Sequence, residues 1–274
     1  MPCLALFCLS LAAIAAPMDD HQPASQDAAR GRLEAVAAHY KGLAHYADQG
    51  TLRIAANFSG RVTEQVQPLS FALERPLKFA ATAGGTAYVC DGSRTLSLIG
   101  PTRRTLTGPS PSRLYPAMLD DSPAGALVLG GPGGTAAAAM VQLLLGDDAT
   151  KALLDAGTVV SADPDASIDD RAMTRLRLHP VHGPDLRLWV DAESKLVRRV
   201  EVLAAADRGD APTESAVGAS DVTITWDSGP IRTDGVDSGA FTLKVPEGFS
   251  EVSPLKPREA DAAAKKKDDA PGPR

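Results

Sequence analysis

Apolar and polar positions alternate with a period of two along much of this chain. Leu52, Ile54, Ala56 and Phe58 alternate with Arg53, Ala55 and Asn57, and Leu69, Phe71 and Leu73 alternate with Ser70, Ala72 and Glu74. Successive side chains of a strand point to opposite faces, so each run predicts a strand with one apolar side. Leu77 and Phe79 continue after Pro76, and Tyr88–Cys90 and Leu96–Ile99 flank Asp91-Gly92, a dipeptide suited to a tight hairpin. Thr174, Leu176 and Leu178 resume the pattern. Leu186, Leu188 and Val190 follow, then a turn at Asp191-Ala192-Glu193-Ser194 and strands at Leu196–Leu203, Val222–Trp226 and Phe241–Val245.

Two regions break the period. Ala29, Leu33, Val36, Tyr40 and Leu43 recur every three or four residues, which predicts a helix from about Gln26 to Tyr46 with one apolar face. Residues 108–170 open on Gly108-Pro109-Ser110-Pro111 and contain Gly130-Gly131-Pro132-Gly133-Gly134, stretches that resist regular structure. Within them Arg113–Leu119, Thr135–Leu145 and Asp147–Leu154 read as short helices. Ala136 to Leu145 is apolar on nearly every side and must be buried or cover something apolar. The fold class expected is α+β: a curled antiparallel β-sheet forming a half-open β-barrel, with an N-terminal helix and a helical insertion at about 108–170 covering the concave face. A large sheet with one apolar face curls, and a curled sheet can enclose a cavity.

Length and charge narrow the class. The 274 residues fit one domain, at about 27–252, with ends on either side; two small domains are the alternative. Aromatic residues are 4%, so aliphatic side chains must fill the core. A net charge of −6 argues against non-specific nucleic-acid binding, which needs a basic face. Residues 1–16 read as a secretory signal peptide, with an apolar run too short to anchor in a bilayer and small residues at Ala13, Ala15 and Ala16. No Lys or Arg follows Met1, and a buried N-terminal helix is the alternative. Residues 17–26 are expected to be a disordered lead and 253–274 a disordered tail, with Lys265-Lys266-Lys267 balanced by Asp268-Asp269. Cys3 and Cys8 leave with the signal, and Phe7 before Cys8 is wrong for lipidation. Cys90, alone in the processed chain, reads as a buried, inert thiol.

No catalytic constellation stands out, and no enzyme activity, cofactor or metal is expected. His179 and His182 sit in a His-Pro-Val-His turn without further ligands nearby, and His39 and His45 lie six apart on the predicted helix; all read as surface histidines. Asp120-Asp121 and Asp169-Asp170 are adjacent acids in loops, whereas Asp147-Asp148 suits a helix start. The glycine cluster lacks the Lys-Ser/Thr of a P-loop and reads as a lid hinge or plain disorder. No nucleophile elbow supports a Ser-His-Asp order.

Arg75-Pro76, then Phe79, then the Asp91-Gly92 hairpin with Leu96 and Pro101, form an ordered series. Leu188-Trp189-Val190-Asp191 before Arg198-Arg199, and the closing Phe241, Leu243, Pro246 and Gly248, extend it. The series resembles the periplasmic outer-membrane lipoprotein carriers, the LolA-like superfamily, over most of residues 28–250, as a divergent member. The long glycine-rich insertion and the aromatic-poor strands depart from that pattern. The resemblance implies a periplasmic protein that binds an apolar ligand, lipoprotein acyl chains or an envelope lipid, without catalysis. It implies that Arg75 holds neighbouring segments over the cavity; the alternative is a plain exposed arginine before a proline. Phe58, Phe71, Leu73 and Phe79 are the candidate cavity residues. A possible envelope protein partner follows from the same likeness. The other function considered is a structural or regulatory envelope domain whose cavity is plugged by its own helices.

Overall fold

The computed structural model describes residues 22–58, 61–155, 157–203 and 219–252. The predicted signal peptide, the start of the lead, most of the 204–219 loop and the tail lie outside the described residues. Helix α1 (Gln22–Gly42) leads into strands β1 (His45–Ala47), β2 (Thr51–Phe58), β3 (Arg61–Glu74), β4 (Lys78–Ala83), β5 (Thr86–Asp91), β6 (Arg94–Ile99) and β7 (Arg104–Pro109). Helices α2 (Pro123–Gly130), α3 (Gly134–Leu145) and α4 (Ala149–Leu153) follow. The chain returns to β8 (Val159–Ile168), β9 (Arg171–His179), β10 (Asp185–Asp191), β11 (Val197–Leu203), β12 (Ala219–Asp227) and the short β13 (Ser250–Glu251).

All thirteen strands join one sheet in the order β13-β7-β6-β5-β4-β3-β2-β12-β11-β10-β9-β8, with β1 on β3. Every pairing is antiparallel except that of β13 with β7. The fold is α+β, with a large, open sheet: β13 and β8 stand at its two ends and do not pair. β3 joins its halves, because Arg61–Pro68 pair with β2 while Leu69–Glu74 pair with β4. Pro68 sits at the changeover, where its missing N–H is tolerated.

One face of the sheet carries Leu52, Leu69, Phe71, Leu73, Phe79, Tyr88, Cys90, Leu176, Leu188, Val200 and Trp226, all buried in a single core with Leu33, Val36 and Tyr40 of α1 and the apolar side chains of α3. α1 packs on β8, α2 on β4 to β6, and α3 between α1 and α2. On the other face the segment before β13 makes a second, small core from Ala72, Ala80, Val89 and Phe241.

Several elements differ from expectation. α1 ends at Gly42, and Tyr46 is a strand residue opposite Leu73. The pattern misled because Tyr40 and Tyr46 both face the core, their rings 5.8 Å apart. Arg113–Leu119 holds only a 3-10 turn at Pro116–Met118. Phe241–Val245 is not a strand: Phe241 closes a 3-10 turn and fills the second core, while Val245 is exposed. β7 and β8 were unforeseen. Gly108-Pro109 hides the end of one, and the other is an edge strand that carries Pro164 and a register shift, features that suit an edge.

Candidate functional site

Arg75 follows β3 and precedes Pro76 across a cis peptide bond. Its Nε donates to the Leu43 carbonyl and its Nη2 to the Leu144 carbonyl, each at 2.9 Å. Leu43 follows the last residue of α1, and Leu144 lies in the last turn of α3. Carbonyls at helix C-termini lack intrahelical partners and carry partial negative charge. One guanidinium therefore ties the ends of two helices to the sheet they cover. Burial holds its pKa below the ordinary arginine value.

Of the candidate cavity residues, Phe71, Leu73 and Phe79 are fully buried in the main core. They share the helix-covered face, with Leu73 opposite Phe79. Phe71 also borders a smaller cavity between β3, β4 and residues 230–240. Phe58 ends β2 opposite Arg61, and its side chain lies outside the described residues.

The helix cover stops short at the β7 end. There a cavity of about 780 Å³ is lined by Thr95, Ser97, Ile99, Arg104, Leu106 and Gly108 of β6 and β7, by Asp121, Ser122 and Pro123 where α2 begins, and by Val252. Its volume falls within the roughly 300–1,000 Å³ of small-molecule sites. Apolar Ile99, Leu106, Pro123 and Val252 share the wall with one cation and one acid, Arg104 and Asp121. Ser97 and Ser122 join their hydroxyls at 2.7 Å, and the Ser122 Oγ also caps α2 through the Gly125 N–H. The start of α2 is thus pinned to the wall of the cavity. Alternation along β6 was legible in the sequence, but nothing in it marked where the helices stop.

A second cavity of about 340 Å³ lies between β3, β4 and residues 230–240, with Asp48 and Arg232 in its wall. Asp48 Oδ1 accepts the N–H groups of Gly50 and Phe71, each at 3.1 Å. Burial pushes its pKa up to about 7, against the lowering effect of the neighbouring Tyr46 hydroxyl and those two N–H groups. Sequence reading missed Asp48 because a lone acid after a short strand carries no pattern.

The remaining candidates take bland roles. Cys90 is buried, with its thiol on the Leu77 carbonyl at 3.1 Å. Asp148 caps α4 by accepting the Lys151 N–H. Asp91 accepts the N–H groups of Ser93 and Arg94, and these bonds with the Ser93 hydroxyl hold its carboxyl down at about 2. Among the described residues no cluster of His, Cys, Asp or Glu is arranged to hold a metal. His179, however, is no isolated surface histidine. Its Nε2 lies 3.2 Å from the Ser161 Oγ and its Nδ1 2.9 Å from Asp185 Oδ2. The order Ser, His, Asp along β8, β9 and β10 has no local motif, and only strand pairing assembles it.

No family model matches the sequence, and no curated protein matches it significantly. Solved structures do. An uncharacterized conserved protein of Thermus thermophilus is 7% identical, with a TM-score of 0.42, over 83% of this chain and 99% of that one. A putative outer membrane lipoprotein-sorting protein domain of Vibrio parahaemolyticus is 10% identical, with a TM-score of 0.33, over 79% and 97%. A LolA superfamily protein of Nitrosomonas europaea is 13% identical, with a TM-score of 0.29, over 78% and 97%. One of these structural neighbours is thus a LolA superfamily protein, similar to this chain at low identity.

Proposed function

We propose that the protein is an envelope binding protein, exported to the periplasm, that holds an apolar ligand such as a lipid or lipoprotein acyl chain against the helix-covered face of its sheet. In this reading the sheet curls around the helices as a half-barrel. The ligand enters at the open cavity beside β6 and β7, and α3 is a lid held by Arg75. The observation that carries it is the pairing of an unfilled cavity at one end of an apolar face with an arginine bridging the helices that close the rest. Apolar area gains about 25 cal/mol per Å² on leaving water, so an acyl chain entering past Ile99 and Leu106 would partition inward. Arg104 and Asp121 would then meet a polar head.

Native mass spectrometry of the protein extracted from its own periplasm tests this. A co-purified lipid or acylated peptide is expected, and Arg75→Leu should lose it while keeping its circular dichroism spectrum. A ligand-free mass that ignores added palmitate and lipopeptide would overturn the reading.

A second reading has its own support. Nine of the twelve residues of α3 are buried, and Phe71, Leu73 and Phe79 are themselves buried in the same core. These features suit an envelope interaction domain plugged by its own helices, and the ligand-free outcome would favour it.

A further inference from the structure

The uncovered face of the sheet holds a second arrangement at the free end of β8. Ser161 stands opposite Arg177 and Val159 opposite His179, so all four side chains emerge on one face. His179 ends β9 and Asp185 opens β10, and the connection between them brings the imidazole onto the carboxylate. Asp185 is only 4% exposed, and its Oδ2 also accepts Arg177 Nε at 3.1 Å and Nη2 at 2.9 Å.

The hydrogen bonds fix a direction. An ionised carboxylate can only accept, so Nδ1 of His179 carries the proton in its 2.9 Å contact with Asp185. In the neutral ring Nε2 is then an acceptor, and the Ser161 hydroxyl 3.2 Å away must donate to it. This is the tautomer and polarity that a serine nucleophile needs from its general base. Nothing pairs with the outer edge of β8 among the described residues, so a substrate can approach Ser161. Val159, two residues before Ser161 on the same face of β8, is a large apolar side chain left in water at 43% exposure, and Val181 is another at 58%. A Cβ on Gly157 would come within 2.7 Å of Val181, which places Val181 against the chain entering β8. The two valines form an apolar stretch on the approach to Ser161, with Val159 nearer the hydroxyl and Val181 at the start of the strand.

We infer that Ser161, His179 and Asp185 form an esterolytic site for carboxylic esters with an apolar acyl group, separate from the cavity at β7. Ser161 Oγ bonds to the ester carbonyl carbon as its proton passes to Nε2 of His179. Arg177, with Nε and Nη2 on Asp185, offers Nη1 to the carbonyl oxygen as it takes negative charge. The ester C–O bond then breaks, Nε2 returns the proton to the leaving alkoxide, and the acyl group stays on Ser161. A water molecule repeats the sequence: its proton goes to Nε2, its oxygen to the acyl carbon, and the proton returns to Ser161 as the carboxylic acid leaves. Asp185 is a positioning residue that holds the ring.

The test is covalent labelling with a long-chain alkyl fluorophosphonate, followed by peptide mass spectrometry, on the full processed chain. Label is expected on Ser161, with loss of the label in His179→Gln. Turnover of p-nitrophenyl butyrate should fall about 100-fold or more in Ser161→Ala. Thermal melts of both variants must match the parent, and Ser161→Val replaces Ser161→Ala if that variant melts early. No label, label on another serine, label at Ser161 that survives His179→Gln, or turnover unchanged by Ser161→Ala would each overturn the proposal. None of these readouts depends on lipid uptake at the other cavity.

Discussion

Asp48 is the residue whose charge state bears most on stability. Its carboxyl titrates at about 7 in the fold, against an ordinary value of 3.8. Between those values the folded state binds the extra proton, so the stability that this carboxyl contributes falls as pH rises through that window and is fullest below 4. A displacement of that size is worth up to roughly 4 kcal/mol. Asp48→Asn keeps an oxygen for the Gly50 and Phe71 N–H groups and removes the titration. Urea unfolding at pH 5 and pH 8 is expected to show the parent losing stability across this range relative to the variant. Arg75 acts at the same scale by different means. Arg75→Leu removes two charge-assisted bonds and strands the carbonyls of Leu43 and Leu144. About 2 kcal/mol should be lost, measurable as a lower urea midpoint.

At the scale of elements, the junction of α2 and α3 decides how the sheet is covered. The two helices meet at 115° across Gly131-Pro132-Gly133. The glycines there have negative φ at 131 and 133, so left-handed backbone is not why they are needed. Close approach is. A Cβ on Gly134 would sit 1.8 Å from the Leu129 carbonyl, and one on Gly133 would sit 2.4 Å from Leu52 Cδ2. The cluster expected as a hinge or disorder is a tight elbow. Gly134→Ala should cost about 1–3 kcal/mol by overpacking, read from its thermal melt, where a loose hinge would tolerate it.

For the whole molecule, the unequal cover of the sheet is the main feature. The β8 to β12 half lies under α1 and α3, and its opposite face is a polar ladder. Arg187 bridges Asp163 and Glu201, and Trp189 lies between Arg175 and Arg199. The β7 end keeps open space instead. Leu106→Trp projects an indole into that cavity from the helix-covered side. It is expected to block palmitate uptake, measured by isothermal titration, while the far end of the sheet keeps its fold and the Ser161 label.

Sequence alone determined the features that repeat locally. The period-two runs set most strands and their apolar face, the three-and-four spacing from Ala29 to Tyr40 set α1, and Asp91-Gly92 and Asp191 to Ser194 set two hairpins. Arg75 was visible because an Arg-Pro pair interrupts an apolar run. What it bonds was not, since Leu43 and Leu144 lie 32 and 69 residues away and offer backbone carbonyls that any residue would carry. The same holds for Ser161 and His179, which meet only through the β8–β9 register, and for Asp48, whose burial depends on Tyr40, Tyr46 and Phe71 closing around it. The cavity at β7 is set by where α2 begins. Periodicity reports which face of an element is apolar, but only the packed structure decides what covers that face and where the cover ends.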